Sequence, residues 1–293
     1  MIHAGSYTAK VRTLGGGLSE LKFGNRNLID PYVEDEVMPK FRGDLLIPWP
    51  NRIRDGRYSF DQRDFQVPTN EVERSNALHG CVFGLNWEVV ELSSTSISLS
   101  AILHEGPNYP SALQCSVTYR LSHQGLCWTV DVTNIGNSRV PYGVSVHPYL
   151  IADPVEKIDS CALTIPAAMY MEVDPGRLLP IGLRTVEEGD LDFRKRALVG
   201  NRRIDHAFLL DDRLTQPRIE VRASSGLGVW MDSDRKGKWV QIHTADRGRE
   251  AGSRSCLVVE PMTCPPDAFN SGIDLIYLEP GVSHCMSWRI GAL

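Results

Sequence analysis

The sequence predicts an all-β fold, a large antiparallel β-sandwich, on three observations. Short runs alternating apolar and polar residues recur along its 293 residues, Gly, Pro, Asn and Asp punctuate them, and long segments of helical period are missing. Many strands without strand–helix alternation argue for packed antiparallel sheets and against a parallel α/β sheet. The first two runs, 6–12 and Leu18–Phe23, flank Gly15-Gly16-Gly17, which reads as a hairpin turn. Arg57–Phe60, 87–92, Ser96–Leu103, 116–121 and 126–133 follow, the last closed by the turn Asn134-Ile135-Gly136-Asn137. Further runs lie at 162–165, 219–223, 228–231, 239–244, 256–259 and 285–290. The charged stretch 184–200 reads as a solvated loop on the surface. With no Pro/Ser-rich linker, low-complexity tract or fixed-period repeat, a single domain spanning 1–293 is expected.

Charged residues make up 23% and hydrophobic ones 42%, ordinary for a globular chain, and the formal net charge is -5. That balance argues against nucleic acid as a partner, which needs a basic footprint, and no Lys/Arg run suits an anionic membrane. The 7 cysteines are odd in number and scattered, unlike a secreted disulfide framework. The N-terminus has neither a basic start nor an apolar run, and no stretch approaches the apolar length of a membrane span. A cytoplasmic protein, monomer or homodimer, is expected.

Several motifs fail. The glycine triplet lacks a following Gly-Lys-Ser/Thr and precedes a strand-like run, so a phosphate loop is the poorer reading. Asp232-Ser233-Asp234 with Gly237 resembles the start of a calcium loop. His243 stands where the closing glutamate should be, and a hairpin tip is the better reading. The 8 histidines form no metal-binding spacing, and no Gly-x-Ser-x-Gly is present. Neither a metal nor a cofactor is expected, which leaves chemistry done by side chains.

Five segments set polar or ionisable residues among apolar residues and prolines. In 46–53, Arg52 lies among Pro, Trp and Ile, where it either satisfies loop carbonyls or serves a site. His79-Gly80 is by itself a turn with a hydrogen-bonded imidazole. His147 interrupts a strand-like run before Pro148, and is either a satisfied core residue or a proton-transfer group. Asp205-His206 leads into an apolar strand, with a local turn as the plainer role for Asp205. Glu260 ends a β-branched run, where a carboxylate is costly unless paired or functional, and partial burial raises its pKa toward that of a general base.

As a set, in the order Asn-Arg-Ile, His-Gly, His-Pro-Tyr, Asp-His-x-Phe and Glu before Pro-Asp-x-x-Asn, these segments resemble the aldose 1-epimerase (galactose mutarotase) family along almost the whole chain. The run from Glu260 to Gly272 looks like a less characterised bacterial branch. The resemblance implies a galactose mutarotase-like supersandwich with a sugar cleft on a concave sheet face. It implies Glu260 as general base toward the anomeric hydroxyl and His147 as general acid toward the ring oxygen. Arg52, His79 and Asp205 are then substrate-binding residues, and the partner is a monosaccharide. Trp49, Tyr149 and Phe269 are candidates for an apolar wall, with core packing at least as good an account of each. Arg52, Arg54, Arg57 and Arg74 lie near these segments and can hold an anionic substituent, although surface arginines are the commoner outcome. Two alternatives stand beside the epimerase: a non-catalytic carbohydrate-binding sandwich, and a glycoside hydrolase pairing Glu260 with Asp205 or Asp267.

Overall fold

Two antiparallel sheets carry most of the strand residues in this computed structural model, which describes residues 1–32, 41–246 and 253–293. The larger sheet has nine strands in the order Glu88–Leu92, Ser96–Leu103, Leu113–Ser122, Gly125–Asn134, Ser283–Ala292, Gly228–Ser233, Arg218–Arg222, Ala162–Thr164, Ala197–Leu198. The second has six: Tyr149–Leu150, Leu257–Met262, Trp239–His243, Asp205–Leu210, Ala167–Val173 and Pro180–Thr185. A four-stranded sheet built from Ile2–Ala4, Tyr7–Val11, Leu18–Phe23 and Arg26–Asn27 completes the N-terminal part. The expected hairpin across the glycine triplet is present, Tyr7–Val11 pairing with Leu18–Phe23.

Alternation explains the packing. In Leu113–Ser122 the buried residues are Leu113, Cys115, Val117, Tyr119 and Leu121, and in the neighbouring strand Leu126, Trp128, Val130 and Val132 continue the same face. Phe208, Leu210, Val240, Ile242, Leu257 and Val259 of the six-stranded sheet join them in one continuous apolar core. The opposite face of the six-stranded sheet is the unusual one. Leu257–Met262 is buried along its whole length, so Glu260 and its neighbours lie under a cover of loops.

Two expectations are corrected. Gly228–Ser233 and Trp239–His243 belong to different sheets, so the turn between them carries the chain from one sheet to the other and is no hairpin tip. Alternation marks a strand on each side of a turn but not the sheet it joins. The stretch 184–200 is not simply solvated: Val186, Leu191, Phe193 and Val199 are buried, and Ala197–Leu198 forms an edge of the larger sheet. Its charged residues pair outside, Arg194 with Glu187 and Asp192, and Asp190 with Arg202 just beyond the stretch. The strands Ala167–Val173 and Pro180–Thr185 were not foreseen.

The loops over the sheet depend on glycine at particular places. Gly80 has φ +71°, and a Cβ there would lie 2.0 Å from the Ile47 carbonyl oxygen. Gly272 has the same φ of 71° with open space around it. Gly80→Ala is therefore expected to destabilise the protein by at least about 3 kcal/mol, and Gly272→Ala by only about 1 kcal/mol. Urea unfolding of the two variants checks this, and equal losses would refute the close approach at Ile47.

Candidate active site

Three adjacent strands of the six-stranded sheet set out the floor of a cavity of about 500 Å³. Register pairs Glu260 with Gln241 and Gln241 with Ala207, and one row along it pairs Asp205 with His243. Because residues two apart share a face, Glu260, Gln241, His243 and Asp205 all point the same way. Gln241 donates from Nε2 to Asp205 Oδ1 at 2.6 Å, tying the two rows together.

His147 reaches the same place from a crossing segment. Ser145–Val146 pairs with Leu45–Leu46, and after Pro148 the chain changes partner, so that Tyr149–Leu150 pairs with Leu257–Met262. His147 sits at that change of partner. Its Nε2 lies 3.3 Å from Glu260 Oε1, with both side chains almost wholly buried. His79, at φ +65°, follows the strand Asn76–Leu78, which pairs with Arg52–Arg54. Its ring meets that of His147 edge-on with centroids 4.8 Å apart. Tyr149 and Phe41 close the apolar side, their ring centroids 5.3 and 6.4 Å from that of His147.

Arg52 is held by Glu71, whose two carboxylate oxygens accept from Nε and Nη2, each at 2.9 Å. Its Nη2 is 3.8 Å from Asp205 Oδ2, and His243 Nδ1 approaches the same oxygen at 3.9 Å. Burial works to raise the Asp205 pKa, but His243, Arg52 and Gln241 together hold it below the ordinary carboxylate value. Glu71 is likewise held low against burial, chiefly by Arg52. Glu260 goes the other way: burial, with the Asp205 charge adding to it, pushes its pKa well above the ordinary value, and Arg52 opposes only in part. Burial lowers His147 to about 3, and lowers His79 well below an ordinary histidine. The buried pair thus favours one shared proton, resting on the carboxyl, because a neutral acid beside a neutral imidazole costs less in a dry site than two ions.

All five residues expected at the site line this one cavity: Glu260, His147, Arg52, His79 and Asp205. The other expectations divide. Tyr149 lines it, whereas Trp49 and Phe269 pack against each other with centroids 5.8 Å apart, outside it. Arg74 lines it but is paired with Glu71 and Glu73, while Arg54 turns to Asp267 and Arg57 to Gln66. Asp267 accepts from the Arg54 amide and from Asn270, and is not part of the cavity lining. Phe41, Glu71, Gln241 and His243 were not singled out. For Gln241 and His243 the signal was the alternation of 239–244, which assigns both to the polar face of a strand.

A larger hollow of about 740 Å³ opens against the nine-stranded sheet, lined by Arg218, Trp230 and Arg289, but it has no acidic side chain. Facing proton donors and acceptors, not size, single out the Glu260 cavity. Glu260 Oε2, Gln241 Oε1 and His243 Nδ1 have no hydrogen-bond partner among the described residues, so the cavity offers polar atoms to a hydroxylated ligand. His79, His147 and Glu260 offer ligand atoms within 4.8 Å of one another, which raises the question of a cation. The Asn51 amide donates to His79 Nδ1 at 3.2 Å, which leaves the proton of the neutral ring on Nε2. A metal would therefore have to displace either that hydrogen bond or that proton, and the three groups fit proton transfer better.

Comparison with known proteins places the whole chain in a family and a fold. The sequence profile described as Aldose 1-epimerase matches residues 1–290. The uncharacterised protein YihR of Escherichia coli (strain K12) is 37% identical over 288 residues, covering 98% of this chain and 91% of its own. The aldose 1-epimerase of the same organism is 26% identical over 186 residues, 58% of this chain and 53% of its own. Among solved structures, an aldose epimerase homologue from C. elegans superposes with a TM-score of 0.88 at 18% identity, covering 100% and 97% of the two chains. A putative aldose 1-epimerase from E. coli K12 gives 0.83 at 24% identity, covering 100% and 98%. These two structural likenesses are likenesses of fold.

Glu71→Ala would leave the Arg52 guanidinium buried without its main partner, and a loss of about 3 kcal/mol or more is expected in urea unfolding. Glu73, whose side chain is 71% exposed, also pairs with Arg74, yet Glu73→Ala should change stability by less than about 0.5 kcal/mol. Similar losses for both would contradict the buried clamp.

Proposed function

The chain belongs to the aldose 1-epimerase family, and from that premise we propose that it interconverts the α and β anomers of an aldose by acid–base ring opening and re-closure. The observation that carries this is a buried carboxylate and a buried imidazole 3.3 Å apart in a cavity with unpartnered polar atoms. Glu260 takes the proton from the anomeric hydroxyl while His147 delivers one to the ring oxygen. The bond between C1 and the ring oxygen breaks as the C1 carbonyl forms. Rotation about C1–C2 presents the other face of the carbonyl, and the same two groups return their protons. Arg52, His79 and Asp205 hold the remaining hydroxyls, and Asp205, kept ionised, accepts from them.

Electrostatics fits this cycle. With a closed sugar the pair must be carboxylate and imidazolium; with the open sugar it is carboxylic acid and neutral imidazole. The net charge of the pair is the same in both. Burial favours the second arrangement, which is the one present while the sugar is open. The aldehyde stage, least stable in water, therefore coincides with the preferred protonation state of the site.

Mixing a single anomer with the protein is expected to accelerate equilibration, measured by NMR exchange over a panel of neutral and anionic aldoses. Glu260→Gln and His147→Asn should each lower kcat/KM by about 10²–10⁴-fold with unchanged circular dichroism. Near wild-type rates in both variants would remove the assignment. Sugar binding in calorimetry without any acceleration would point to a binding module, and release of reducing sugar from oligosaccharides to a hydrolase.

The pH profile is a separate test. The acid limb of kcat/KM marks uptake of a second proton by the pair. With His147 lowered to about 3, that limb lies well below the ordinary histidine range. The alkaline limb marks loss of the single proton, and the raised Glu260 moves it above the ordinary carboxylate range. No acid limb is expected in the ordinary histidine range, and one centred near about 6.5 would contradict the assignment.

A further inference from the structure

Arg12 and Asp44 form an ion pair that does not line the Glu260 cavity and that the chemistry above does not use. Arg12 Nη2 donates to Asp44 Oδ1, and the side chains are 3% and 0% exposed. The Arg12 guanidinium also lies 5.2 Å from the centroid of the Tyr32 ring. A buried ion pair contributes little net stability relative to apolar residues of the same volume, so stability alone does not account for it.

What the pair fixes is the short loop 41–44, and that loop grips His147. The His147 amide donates to the Asp44 carbonyl at 3.1 Å, and the Gly43 amide donates to the His147 carbonyl at 2.9 Å. Both backbone polar groups of His147 are therefore bound to two consecutive residues. The far side of the loop is anchored where the Leu18 amide donates to the Gly43 carbonyl at 2.9 Å, and the loop closes through Asp44 N to Phe41 O at 3.1 Å. Phe41, at φ 57°, brings its ring edge-on to His79 at 4.8 Å.

The glycine triplet makes room for this arrangement. A Cβ on Gly17 would lie 2.9 Å from the Gly43 carbonyl and 3.1 Å from Asp44 Oδ1, and one on Gly15 would lie 3.3 Å from Arg12 Nη2. Gly43 itself, at φ +69°, has the Leu18 carbonyl 2.0 Å from where its Cβ would be. Gly15 and Gly17 thus crowd one buried guanidinium–carboxylate contact, and Gly43 lies in the loop that the contact fixes.

We propose that Arg12 and Asp44 are positioning residues which, through the loop 41–44, hold the backbone of His147 so that its imidazole stays in register with Glu260. The role assigned to His147 rests on the epimerase reading, whereas the grip on its backbone does not. Displacement of a proton donor by about 1 Å can cost on the order of 10²-fold in rate without weakening ground-state binding. Asp44→Asn should therefore lower kcat for anomer exchange by about 10- to 100-fold and leave KM within about threefold. Because that variant strands a buried guanidinium, Arg12→Met/Asp44→Asn is made beside it. The double variant should regain melting temperature but not kcat. Recovery of kcat along with stability, or a rise in KM at unchanged kcat, would overturn the proposal.

A measurement on the wild-type protein stands apart from any variant. The His147 amide should exchange with deuterium as slowly as the non-proline amides of Leu257–Met262, since the grip opens only when the sheet does. Exchange about 10²-fold faster would mean that the loop releases His147 in the folded protein, and would overturn the proposal. If the wild-type protein did not accelerate anomer exchange at all, the epimerase reading would fall, and the exchange rate at His147 would still decide the positioning role.

Discussion

A carboxylate and an imidazole are held 3.3 Å apart where water contributes little to either, and the other features of the cavity follow from that pair. Desolvation is the dominant influence on both, raising one group and lowering the other, so they behave as one unit carrying one proton. Such a unit moves a proton from one oxygen of a ligand to another without changing its own charge. In a site of low polarity that distinction decides between an affordable step and a prohibitive one. Placing the pair requires the His147 segment to exchange one strand partner for another as it joins the edge of the six-stranded sheet, and Pro148 stands at the exchange.

Around the pair the charges are sorted by partner. Arg52 is bound on two oxygens by Glu71, and it also faces Asp205, whose other oxygen is taken by Gln241. His243 and this chain of contacts hold the Asp205 pKa low, while burial raises that of Glu260 on the same sheet face. Two carboxylates close together are thereby given opposite protonation preferences, and their duties separate into holding and transferring. Neighbours set these preferences, and the neighbours come from distant parts of the sequence.

That distance explains which parts were legible in the sequence. Strands with one face in the core, such as Ser96–Leu103 and Leu18–Phe23, carry the period-two pattern and were read with the observed bounds. Leu45–Leu46 and Ser145–Val146 are only two residues each and exist because they pair across about a hundred residues, which no local pattern records. The five candidate residues stood out as an ordered set, each being only weakly marked in its own segment. Gln241 and His243 are not out of place: polar residues on one side of a strand ordinarily face water, and here loops lie over them. Glu71 and Phe41 lie in segments without periodicity, and their part emerges only once Arg52 and His79 are placed. The glycine triplet was read correctly as a turn, but its packing against Asp44 depends on a residue far along the chain.

The order of strands in the larger sheet has a bearing on biosynthesis. Ser283–Ala292 lies at its centre, between Gly125–Asn134 and Gly228–Ser233, and is the latest of the nine to leave the ribosome. Until it emerges, the four strands on one side and the four on the other have no common hydrogen-bonded neighbour. Each half presents an open edge that can recruit another nascent chain. The final addition is therefore a keystone, and the interval before its arrival is when a chaperone has most to protect.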